Sequence, residues 1–140
     1  MANYLFSVDG PETGSVGPGE FAIVNNPAFF DTTDTITGAA NATLGFGIAG
    51  DLVLDLTGYA GITGFPIVNA QATGSVDLTI GQDFYDANVT AGTHLTVQGT
   101  GSTVTLNAGG LAGERPVDLI SFSSGNDVLT GGGGGARTRS

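Results

Sequence analysis

The chain has 140 residues, the size of one domain, and 40% hydrophobic residues provide material for a core. Charged residues make up only 11%, with 10 Asp and 3 Glu against 3 Arg, no Lys, one His and no Cys, for a net charge of −10. This balance excludes nucleic-acid backbones and anionic membrane surfaces as partners, and it excludes disulfides, thiolate metal sites and cysteine nucleophiles.

Met1 to Gly10 lacks the basic start and long apolar stretch of a Sec-type signal, and no later run is apolar enough for a spanning helix. The segment reads as a first strand with Tyr4, Phe6 and Val8 on one face. Residues 10–19 are rich in Gly and Pro and read as turns. Phe21-Ala22-Ile23-Val24 is a short strand closed by Asn25-Asn26-Pro27. Helical periodicity is nearly absent; Ala39 to Leu44 has room for one turn between Gly38 and Gly45. In Asp51-Leu52-Val53-Leu54-Asp55-Leu56-Thr57 the leucines alternate with Asp51, Val53 and Asp55, the period of 2 of a strand with one buried side. Val76–Ile80, His94–Val97, Thr103–Leu106 and Val117–Phe122 repeat the pattern, each bounded by Gly, Asn or Pro. Phe29-Phe30, Phe46, Phe65 and Phe84-Tyr85 are expected to anchor loops over the core.

Two internal repeats stand out. Thr73-Gly74-Ser75-Val76 to Gly81 resembles Thr100-Gly101-Ser102-Thr103 to Gly109. Asp34-Thr35-Ile36-Thr37-Gly38 resembles Asp127-Val128-Leu129-Thr130-Gly131. Unequal spacing rules out a strict solenoid. The expectation is an all-β fold, an irregular parallel β-helix or β-roll, with an antiparallel β-sandwich as the alternative. Residues 1–130 form a single β domain in this reading. Residues 131–140, which open with five glycines, form a flexible tail.

Chemistry-bearing groups are few. Asp31 with Asp34, and Asp83 with Asp86, are spaced i, i+3 in expected loops, where two carboxylates can converge on one hard cation. The competing reading is turn stabilisation by Asp oxygens that accept nearby amides. His94 reads as a surface or rung side chain rather than a base. The Gly-x-Ser-x-Gly elbow is absent, and Gly45-Phe46-Gly47-Ile48-Ala49-Gly50 matches Gly-x-Gly-x-x-Gly without a following helix. No enzyme activity is expected.

The segment Phe122-Ser123-Ser124-Gly125-Asn126-Asp127-Val128-Leu129-Thr130-Gly131-Gly132-Gly133-Gly134 resembles one unit of the hemolysin-type calcium-binding (RTX) nonapeptide, Gly-Gly-x-Gly-x-Asp-x-(large apolar)-x. Gly125 takes the fourth position, Asp127 the sixth and Leu129 the eighth. Ala136 stands where the following unit needs an acid, so the match is to a single unit. The resemblance implies Ca2+ held at a turn by Gly125, Asn126 and Asp127. It also implies a secreted, extracellular, cell-surface protein exported by a type I-like route, a structural or adhesive module that self-assembles into a surface layer or filament. The partners are then calcium and further copies of the chain. Two other roles suit the composition: a viral capsid-decoration or fibre protein, and the non-catalytic module of a longer secreted enzyme.

Overall fold

The computed structural model describes residues 3–90, 92–113, 115–132 and 137–139. Its strands are short because Gly, Asn and Pro interrupt every apolar run. Each interruption turns the chain a corner and lays the next strand on a different face. The result is a parallel β-solenoid.

The first coil contributes β1 (Tyr4–Leu5) and β2 (Thr13–Ser15), and the second β3 (Phe21–Val24) and β4 (Thr35–Thr37). The third contributes β5 (Thr43–Ile48), β6 (Leu52–Leu56) and β7 (Ile62–Thr63). The fourth carries β8 (Ile67–Ala72), β9 (Val76–Ile80) and the helix α1 (Gln82–Asn88). Then come β10 (Leu95–Gly101) with β11 (Val104–Asn107), β12 (Val117–Ser123) with β13 (Asp127–Thr130), and β14 (Arg137–Arg139). Sheet A runs β1-β3-β5-β8-β10-β12-β14, sheet B β2-β4-β7, and sheet C β13-β11-β9-β6. Every strand pairing is parallel, which replaces the sandwich alternative.

Stacking places side chains of equal register in columns. In sheet C, Leu54, Leu78, Leu106 and Leu129 form one inward column, and Leu52, Val76 and Val104 another. In sheet A, Ala22, Leu44, Val68, Val97 and Leu119 align, and all five are fully buried. The next inward column, Val24, Phe46, Ala70, Gly99 and Ser121, ends on a hydroxyl whose Oγ is buried without a hydrogen-bond partner among the described residues.

Sheet C has no strand in the first two coils. Aromatic rings fill that space: Tyr4 against Phe6 at 5.3 Å, Phe6 against Phe30 at 5.4 Å, Phe30 against Phe46 at 5.2 Å, and Phe30 stacked on Tyr59 at 4.4 Å. The 3₁₀ turn Pro27–Phe29, capped by the Asn26 side chain, leads the chain past the gap.

Several expectations change. The first strand stops at Leu5, and Val8 is exposed, because the amides of Ser7 and Val8 turn onto the Glu12 carboxylate. The Asp83–Asp86 segment is helical rather than a loop. The first repeat does stack, yet Val76 pairs with Val104 and not with Thr103. Register follows burial, and Val104 is inside while Thr103 is exposed. The second repeat does not stack on itself, since Asp34–Gly38 borders sheet B and Asp127–Gly131 borders sheet C. The expected tail falls partly outside the described residues, and its described end, Arg137–Arg139, pairs with β12.

Candidate functional site

Glu12 precedes β2 and Asp34 precedes β4, so the stacking of those strands brings the two acids together. Both are buried. The Glu12 carboxylate accepts the Tyr4 hydroxyl at 2.9 Å and the amides of Ser7 and Val8 at 3.2 and 3.1 Å. Asp34 accepts the amide of Glu12 on Oδ1 at 3.0 Å and that of Asp31 on Oδ2 at 2.9 Å. Asp31 accepts the Thr33 hydroxyl, the Thr33 amide at 2.9 Å and the Gly10 amide at 3.2 Å. Burial pushes the Asp34 carboxyl above its ordinary value, while the Thr33 hydroxyl holds Asp31 below its own. Tyr4 is pushed up to about 12, by burial first and then by its bond to Glu12. Asp31 and Asp34 are thus adjacent, and their oxygens staple the first coil to the second.

Asp83 and Asp86 lie on α1. The guanidinium of Arg115 forks onto Asp86, with Nε at 2.8 Å and Nη2 at 2.9 Å, and holds that carboxyl below its ordinary value. Asp127 opens β13 in register with Val104 and Val76, so an acid closes an otherwise apolar inward column. The Asn126 carbonyl accepts the amide of Val104 at 3.2 Å, and the Gly125 carbonyl accepts the Ser123 hydroxyl at 3.0 Å. A Cβ on Gly125 would lie 2.6 Å from the Ser102 carbonyl oxygen, so this corner admits only glycine. Among the described residues, no three His, Cys, Asp or Glu side chains group as a metal site.

Two features have no counterpart in the sequence reading. The first is the role of Glu12 as an acceptor hub. The second is an open groove of about 710 Å³ along one corner of the solenoid, where the segments 38–41, 64–67, 88–90 and 92–96 come together over three coils. Its floor is the close contact of Gly38 with Gly64, whose φ of +84° suits glycine. His94 lines the groove, and its Nε2 lies 3.3 Å from Oδ2 of the buried Asp118. Thr90, Thr93 and Thr96 line it as well. The strand register puts Thr96 beside Asp118 and so carries His94 toward that acid, a relation that only the stacking reveals.

No family model matches the chain, and no curated protein and no solved structure matches it either.

Proposed function

We propose that the chain is a secreted structural or adhesive module whose copies stack end to end with calcium between them. The observation that carries this reading is the place of Asp127. It stands in β13, the outermost strand of sheet C, where the columns below it are Leu52, Val76 and Val104. Among the described residues no strand of sheet C stacks beyond Asp127. A carboxylate so placed suits a hard divalent ion shared with the next copy. Stacking of the β13 end on the β1 and β2 end of the next copy is head to tail and therefore open. A net charge of −10 opposes close approach of copies, and divalent cations relieve that repulsion. The resemblance of 122–134 to the RTX unit supports the same ion.

The test is sedimentation and electron microscopy of the whole chain in chelator, millimolar calcium and matched magnesium. The expected result is calcium-specific growth of linear assemblies with a raised melting temperature, both lost in Asp127→Asn. Monomers with one melting temperature in all three conditions overturn the proposal.

A further inference from the structure

The groove lined by 38–41, 64–67, 88–90 and 92–96 is separate from the stacking ends. We infer that it binds a neutral oligosaccharide. Its volume of about 710 Å³ lies within the roughly 300–1,000 Å³ of small-ligand sites.

Charge narrows the ligand first. The chain carries 13 acids, yet none of the described residues lining the groove is Asp or Glu, and none is Arg. A cation finds no counter-charge there. An anion finds only His94, whose charge, when protonated, is matched by Asp118 at 3.3 Å. The groove therefore selects for no net charge.

Backbone satisfaction narrows it further. A peptide adds to a sheet through free main-chain groups. Here three of those groups, one on each loop, are spent between coils: Gly38 N–H donates to Thr63 at 2.8 Å, Gly64 N–H to Ala87 at 3.4 Å, and Thr96 N–H to Pro66 at 2.9 Å. Recognition then falls to side chains: the hydroxyls of Thr90 and Thr96, the Asn41 amide, the His94 nitrogen turned away from Asp118, and the Thr93 oxygen as an acceptor, its own proton going to the Thr90 carbonyl at 2.6 Å. Such neutral donor–acceptor groups match a ligand dense in hydroxyls. Pro66 and Ile67 add apolar area for the faces of sugar rings.

Shape and strain agree with a linear occupant. The loops stack at the inter-strand spacing of about 4.8 Å, so the groove follows the solenoid axis for about 10 Å and suits two units in a row. At its rim Asn41 holds φ +59°, the only non-glycine residue with positive φ among those described.

The test is amide NMR of the whole chain titrated with cellohexaose, maltohexaose and N-acetylchitohexaose, beside an oligogalacturonate and a neutral Gly/Ser hexapeptide. We expect saturable shifts from at least one neutral hexaose, confined to amides at 39–41, 66–67 and 92–96. Ala40→Trp, which fills the rim, lowers the affinity at least about tenfold. Asn41→Gly removes the amide while relieving its backbone, so affinity falls with the melting temperature held or raised. Val53→Trp, on the exposed outer face of sheet C, leaves binding unchanged. Absence of saturable shifts with all three hexaoses, shifts outside the groove, or equal binding of the peptide or the acidic sugar overturns the inference.

Discussion

The carboxamide of Asn88 occupies the place of a peptide group beside Ile62. Its Nδ2 donates to the Ile62 carbonyl at 2.8 Å while its Oδ1 accepts the Phe65 amide at 2.9 Å. Sheet B has no strand in the fourth coil, and α1 covers the edge of β7 instead. The side chain thus supplies the two bonds that a fourth strand would have made. Asn88→Ala leaves a buried donor and a buried acceptor unpaired, a loss of about 2–4 kcal/mol. Urea melts check this; a loss close to zero would deny Asn88 that role.

Asp34 does for the first two coils what Asn88 does for the fourth. Asp34→Ala strips acceptors from the amides of Glu12 and Asp31. The expected cost is about 2–4 kcal/mol. Asp55→Ala, on the exposed face of β6, changes stability by less than about 0.5 kcal/mol. Equal effects of the two substitutions would show that the staple carries no stability.

Alkaline pH tests the Tyr4–Glu12 bond. The folded Tyr4 is raised from 10.0 to about 12, so the folded state keeps a proton that the unfolded state gives up. The stability it contributes is whole below pH 10 and is lost as pH rises toward 12. Burial raises Tyr59 and Tyr85 in the same direction. Tyr4→Phe therefore makes the alkaline fall in melting temperature shallower without abolishing it. Phenolate absorbance against pH, native and in denaturant, gives the shift directly.

The column register predicts opposite outcomes for two aliphatic residues. Leu78 is fully buried between Leu54 and Leu106, and Leu78→Ala costs about 2–5 kcal/mol. Val53 is 76% exposed, and Val53→Ala is neutral within about 0.5 kcal/mol. Thermal melts of both variants distinguish the inward from the outward column.

Ser121 is a place where the natural residue is not the most stable one. Its Oγ is buried and without a partner among the described residues, next to Gly99 at the end of an apolar column. Ser121→Ala removes that desolvated hydroxyl and leaves the fold intact. The expected gain is about 1 kcal/mol. A lower melting temperature would mean that the hydroxyl is bonded in solution.

Alternation in Leu52–Leu56 and Val76–Ile80 was enough to identify strands and their buried sides, because a half-buried strand must repeat every two residues. Glycine corners and worn repeats favour a parallel β-helix because corners of that kind send the chain around rather than back. The helix at Gln82–Asn88 escaped notice because seven residues span fewer than two turns, too little for a helical period to show. Glu12 and Asn88 were invisible for a different reason. Each matters for the groups it meets: for Asn88 these lie 23 and 26 residues away, set by coil lengths that no local pattern encodes, and for Glu12 they are the Tyr4 hydroxyl and the Ser7 and Val8 amides, brought round by an irregular turn. The groove was hidden likewise, as it exists only where three separate loops come to lie over one another.

Since each strand is bonded only to those of the coils directly above and below, the molecule has no keystone. A load pulling on the last coil meets one layer of bonds at a time, and each released layer leaves the next as a fresh end. Resistance to tearing is then set by the weakest single layer and not by the number of layers, so a longer tower of the same kind would stretch further without being harder to start unravelling.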